Sequence, residues 1–98
     1  MWKVEFMYNY CNKGLTSLPN DIPKYVGDNF WCDYNNLKSL QGAPKYVGGN
    51  FDCDDNKLTS LQGAPKYVGG YFSCSDNIKK FTEEEVRAVC DVKGDVHV

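Results

Sequence analysis

The chain is poor in the residues from which active sites are most often built. It has one histidine, His97, close to the C-terminus, with no serine or cysteine nucleophile beside it. The base–nucleophile pairing of covalent hydrolases therefore has nothing to start from. Neither glycine-rich phosphate-binding pattern, G-x-x-x-x-G-K-[ST] or G-x-G-x-x-G, occurs. No apolar run approaches the roughly 20 residues needed to cross a bilayer as a helix. An excess of positive charge is missing too: 11 Lys+Arg stand against 13 Asp+Glu, a net charge of -2, without the basic footprint of a general nucleic-acid binder. The opening Met1-Trp2-Lys3-Val4-Glu5-Phe6 lacks the basic start and continuous apolar stretch of an export signal. The expectation is a cytoplasmic protein that is not an enzyme, needs no cofactor, and has neither nucleic acid nor membrane as a partner.

What is present is repetition. Cys32 to Asp52 is followed by Cys53 to Ser73, and 16 of the 21 positions are identical. A fixed period of this length marks a stack of coils in which each unit buries its apolar face against its neighbours. At 98 residues the chain is read as a single domain with a thin core: an N-terminal cap strand over 1–10, repeats over 11–81, and a C-terminal helix and edge strand over 82–98. Trp2, Val4, Phe6, Tyr8 and Tyr10 alternate with mostly polar residues, a strand pattern with one buried face. Thr82 with Glu85 three residues later forms a capping box, which predicts a helix over 83–90 with Val86, Val89 and Cys90 on one face, lying across the last coil.

Within a coil, residue types assign themselves. Phe30, Phe51 and Phe72 stand two before Cys32, Cys53 and Cys74, so Phe and Cys point to the same side of a short strand. Cys11 continues the 21-residue spacing backwards, giving a column of four reduced, buried cysteines, with one residue lost before Leu15 and one gained before Pro23. Stacked at about 4.8 Å per coil, four such cysteines form a line about 14 Å long, which cannot converge on one zinc ion. An odd total of five cysteines also fits a disulfide scaffold poorly. Leu37, Leu40, Leu58 and Leu61 point inward; Asn35, Asn56 and Asn77 hydrogen-bond turn backbone in a ladder. Gly48-Gly49 and Gly69-Gly70 are expected to turn the chain with positive φ. Asp52-Cys53-Asp54-Asp55-Asn56 matches the opening of a calcium loop but fails at Lys57 and Gly63, so no metal is expected.

The order Phe-x-Cys-x-x-Asn-x-Leu-x-x-Leu resembles the core of leucine-rich repeats, in the short form of bacterial proteins with Pro after the second Leu. The finer pattern Leu-Thr-Ser-Leu-Gln-Gly-Ala-Pro-Lys-Tyr-Val-Gly-Gly, with the ending Phe-Thr-Glu-Glu-Glu-Val-Arg, is similar to small repeat proteins of tailed bacteriophages. The resemblance implies a mostly β, α/β solenoid: a right-handed coil with a short-stranded parallel sheet, an irregular convex side and a C-terminal capping helix. It implies a protein-binding surface on the concave sheet and no catalytic residues. For a phage protein it implies an inhibitor or adaptor of a host protein, working in the host cytoplasm.

The residues expected on that concave face, and so the candidates for partner contact, are Tyr10, Trp31, Asp33, Tyr34, Asp52, Asp54 and Tyr71. Trp and Tyr bury much area with few rotors, and the three Asp on adjacent strands suit a partner with a basic patch. The recurring Lys24-Tyr25, Lys45-Tyr46 and Lys66-Tyr67 form a second column on the opposite side, read as a structural tyrosine ladder. The alternative is a structural, self-assembling protein that pairs through an edge strand at 95–98. A monomer or a weak homodimer is expected.

Overall fold

The computed structural model describes residues 7–98; the expected alternation of Trp2, Val4 and Phe6 lies outside them. Each coil supplies one two-residue strand to each of two parallel sheets. The five-stranded sheet is β1 (Tyr8–Asn9), β3 (Phe30–Trp31), β5 (Phe51–Asp52), β7 (Phe72–Ser73) and β9 (Val96–His97), neighbours in that order. The four-stranded sheet is β2 (Tyr25–Val26), β4 (Tyr46–Val47), β6 (Tyr67–Val68) and β8 (Asp91–Val92). The chain is a mostly β solenoid of about four turns with one C-terminal helix, α1 (Glu83–Val89). The Lys-Tyr side is extended and regular enough to pair as the second sheet, while the prolines keep the residue ahead of each out of helical geometry. Its tyrosines stack, Tyr46 on Tyr67 with ring centroids 4.7 Å apart.

The interior consists of columns. Phe30, Phe51 and Phe72 are fully buried, in register along β3, β5 and β7. Cys32, Cys53 and Cys74 lie beside them, and Val26, Val47 and Val68 close the opposite wall. At about 1.5–3 kcal/mol per fully buried large apolar side chain, these columns supply the main drive for stacking.

The asparagine ladder is present and explains why Asn recurs. Asn56 accepts from Leu37 N in the coil before (3.0 Å) and donates to the carbonyls of Cys32 and Cys53 (both 3.1 Å). Asn35 and Asn77 repeat the pattern. One side chain thus satisfies backbone groups of two coils where no sheet can reach.

The phase of the first coil differs from the cysteine spacing. Tyr8 pairs with Phe30 and Asn9 with Trp31, so Tyr10, not Cys11, occupies the position of Cys32. The offset is 22, which also aligns Leu15 with Leu37 and Leu18 with Leu40. A single extra residue in the turn between Leu18 and Tyr25 accounts for it, in place of two compensating changes. Lys13 then stands where later coils have the ladder asparagine, and its own N–H is held by Asn35 Oδ1 (3.0 Å). The buried cysteine column contains Cys32, Cys53 and Cys74 only.

The double glycines are also used differently. Positive φ falls on Gly14, Gly42 and Gly63, and on Asn12, Tyr34, Asp55 and Asp76, which share one corner of successive coils. Gly48 and Gly69 are required by close approach: a Cβ on Gly48 would stand 2.5 Å from the carbonyl oxygen of Gly27 in the coil before.

Helix α1 begins at the capping box: Glu85 N donates to Thr82 Oγ1 (3.1 Å) and Thr82 N to Glu85 Oε1 (2.9 Å). Val86 and Cys90 are buried, while Val89 is exposed. Leu61 is only half-buried, because the chain leaves the coil path at Phe81 and the turn that would cover it becomes the helix. Leu61, Phe81, Ala88 and Val89 line the resulting groove of about 330 Å³, with Lys79 and Glu85 paired across it at 3.1 Å.

Candidate functional site

Alternation along the short strands leaves two outward positions per coil on the five-stranded sheet. The first runs Asn9, Trp31, Asp52, Ser73 and His97 from coil to coil, in parallel register. The second follows the inward Cys position: Cys11, Asp33, Asp54 and Ser75. The first outward position differs in every coil, whereas the inward Phe and Cys positions are constant from coil 2 to the strand of Phe72 and Cys74.

The expected contact residues divide accordingly. Trp31, Asp33, Asp52 and Asp54 are on the outer face and half-buried. Tyr34 is at its edge with a left-handed backbone (φ 58) and 60% exposure. Tyr71 is half-buried at the other edge, its ring edge-on to His97 at 5.3 Å. Tyr10 does not belong to this face: its ring packs inward on Phe30 with centroids 5.7 Å apart. Asn12, two residues on, is at the corner rather than on the strand. The cross-strand neighbours of Trp31 are Asn9 and Asp52.

The carboxylates are held by neutral donors. Asp54 Oδ1 accepts from Ser73 Oγ (2.7 Å) and Ser75 N (2.6 Å), Asp33 Oδ1 from Cys11 Sγ (2.6 Å), and Asp52 Oδ1 from Asp54 N (3.1 Å). The ion pairs among the described residues, Lys79–Glu85, Arg87–Glu83 and Lys93–Asp91, all involve a residue of the C-terminal cap. Among the described residues, no cation forms an ion pair with the carboxylates of the face. Burial, followed by the charges of Asp54 and Asp33, pushes the Asp52 carboxyl up to about 6 against the lowering effect of its backbone hydrogen bond. Burial and then Asp52, Asp54 and Asp33 raise Tyr71, which places its phenol in the same negative field. Tyr34 is raised chiefly by Asp55 beside it.

Two features were missed at the level of sequence. Asn29 Oδ1 accepts from Asn50 N (2.8 Å) and Asn50 Oδ1 from Tyr71 N (2.9 Å), a second asparagine ladder at the edge of the face. Its signal was present, since Asn29 and Asn50 share the place before the inward Phe. The groove beside α1 had no such signal, because it exists only where the coil path is abandoned.

No protein-family model, curated protein or solved structure matches this chain.

Proposed function

We propose that this protein is a binding module that holds another protein against the outer face of its five-stranded sheet. The observation that carries this reading is the division of labour between positions. Phe, Cys, Val, Leu and Asn positions that build the coil stay constant, as does the Lys-Tyr column of the other sheet. Among the outward positions, Trp31 gives way to Asp52 and Ser73, and Asn50 to Tyr71, while Asp33 and Asp54 keep their carboxylate between Cys11 and Ser75. A half-buried Trp on a short strand suits an interface anchor. Binding rather than catalysis is supported by the thiols: burial raises Cys53 well above its ordinary range and pushes Cys74 up to about 12, which removes the thiolates a nucleophile would need.

The resemblance to short bacterial and phage leucine-rich repeats supports the same reading. It suggests an inhibitor or adaptor of a bacterial host protein in the host cytoplasm; that finer identity rests on the repeat pattern alone. The test is affinity capture from a bacterial lysate with wild type and a Trp31→Ala/Asp52→Ala variant. A protein retained by wild type and lost by the variant is the expected result. Equal retention by both moves the contact to the Lys-Tyr sheet or the caps.

A second reading is favoured by β9, the last strand of its sheet, with β7 as its one strand neighbour among the described residues. Such an edge pairs readily with another chain, and self-assembly through it predicts dimers that disappear when 95–98 are deleted.

A further inference from the structure

We propose that the outer face of the five-stranded sheet docks an extended, arginine-bearing segment of a protein partner, with the guanidinium over the carboxylates of Asp33, Asp52 and Asp54 and against the indole of Trp31. This rests on the reading of that face as an interaction surface and adds the chemistry of the occupant.

Charge selects the occupant. Asp52 and Asp54 belong to one strand segment, Asp33 follows the neighbouring strand, and the three are held by a thiol, a hydroxyl and backbone N–H groups. None of those donors carries a positive charge. An ionised carboxylate has about four acceptor sites, and the hydrogen bond found for Asp52 is the one from Asp54 N. The face therefore offers both acceptors and field to a cation. It repels nucleic acid, anionic lipid and a second copy of itself presented face to face.

Size selects a segment rather than a globular surface. Five coils about 4.8 Å apart, each extended over about four residues from the inward Phe to the second outward position, make a patch of roughly 20 by 13 Å, or ~260 Å². Stable globular contacts bury about 800 Å² on each partner. A patch about a third of that size is filled by a few residues of extended chain.

Geometry selects arginine over lysine. Trp31 and Asp52 are directly paired across β3 and β5, so their Cα atoms stand about 4.8 Å apart. A planar guanidinium can lie on an indole while its N–H groups fork to carboxylates, which an ammonium cannot do.

The test uses the full chain, 15N-labelled, titrated with an acetylated and amidated Gly-Arg-Gly-Arg-Gly peptide and with its lysine and citrulline counterparts. The expected result is amide shifts concentrated at 31–33, 52–54 and 71–75. Lysine should bind several-fold more weakly, citrulline should give no saturation, and Asp52→Asn/Asp54→Asn should lose about tenfold in affinity. The amide spectrum of the variant reports whether it still folds, and Trp31→Ala supplies a second variant outside the hydrogen-bond set. Shifts centred on the groove of α1, or equal binding of the citrulline peptide, overturn the proposal. A captured partner that depends on Trp31 but survives Asp52→Asn/Asp54→Asn and excess arginine peptide overturns it too, and leaves the interaction-module reading standing. Absence of both a Trp31-dependent partner and a peptide response removes both.

Discussion

The thiol of Cys11 donates a hydrogen bond to the carboxylate of Asp33, Sγ to Oδ1 at 2.6 Å, across the first two coils. That contact exists because coil 1 is one residue out of phase with the cysteine spacing, which turns Cys11 outward. Burial and the Asp33 contact push its thiol up to about 12. Cys11 is the one half-buried cysteine; Cys32, Cys53, Cys74 and Cys90 are buried. In the native protein a thiol reagent therefore modifies Cys11 first, yet far more slowly at pH 8 than an unperturbed thiol. Asp33→Asn accelerates that reaction by about tenfold, since it replaces the charged acceptor that holds the proton by a neutral, weaker one. Mass-resolved alkylation kinetics would measure both, and a Cys11 rate indifferent to Asp33→Asn would contradict the contact.

Asn56→Ala leaves Leu37 N–H without its acceptor and takes one of two asparagine donors from each of the carbonyls of Cys32 and Cys53, which keep Asn35 and Asn77. A buried unsatisfied group costs about 1–3 kcal/mol before relaxation, and the bonds to the two carbonyls are lost with it, so a loss of about 3 kcal/mol is expected in urea unfolding. Asn77→Ala, at the last rung, should lose less, because Asn77 is half-buried and water can replace part of what it supplies. Equal losses would argue against the ladder as the cause.

Gly48→Ala and Gly14→Ala separate two reasons for glycine. At Gly48 the added methyl meets the Gly27 carbonyl at 2.5 Å, so the seam between coils must open, with a stability loss above about 2 kcal/mol. At Gly14 (φ +69) nothing stands within 4 Å, and the loss is limited to the left-handed backbone, about 1 kcal/mol. Thermal midpoints in the reverse order would show that the seam is slack.

Asp52 gives a pH signature. Its carboxyl is raised to about 6 in the fold against about 3.9 in an unfolded chain. The folded state therefore prefers the protonated form. The stability this confers is complete below about pH 4 and is lost as the pH rises through 6. The full shift corresponds to about 3 kcal/mol, which solvent screening at this half-exposed group reduces to about 1 kcal/mol. Asp52→Asn should be more stable than wild type by about that amount at pH 7 and level with it at about pH 3. Urea titrations of the two proteins at both pH values measure the difference directly, and a gap that does not change with pH would assign it to something other than this proton.

The coil was legible because coils 2 and 3 are near copies. Identity between them exposes which positions the interior constrains, and Phe51, Cys53, Asn56 and Leu58 could be placed from the two-residue period and the turn alone. Coil 1 was misread at Cys11 because its spacing matched by coincidence, while the residue filling the cysteine position is a tyrosine. Leu15 and Leu18, each 22 before its counterpart, carried the true phase. The double glycines were assigned to backbone torsion when the constraint is steric: distance to a neighbouring coil is invisible in a single stretch of chain. Leu61 follows the same logic, since its exposure depends on what the chain does 20 residues later. On the candidate face, the strand positions of Trp31, Asp52 and Asp54 followed from alternation, and Tyr10 did not because its phase was inherited from Cys11.

The seam at Gly48 and its repetition at Gly69 have a consequence for ancestry. Because each coil meets the next through the same atoms, a tandem duplication of 21 residues inserts a finished unit and disturbs no existing junction. Growth of the protein is then a copying event, and novelty is confined afterwards to drift at the few outward letters of the new row. Lineages of this chain should differ in their number of rows and in the identities along one face, while the interior text is transmitted nearly unedited.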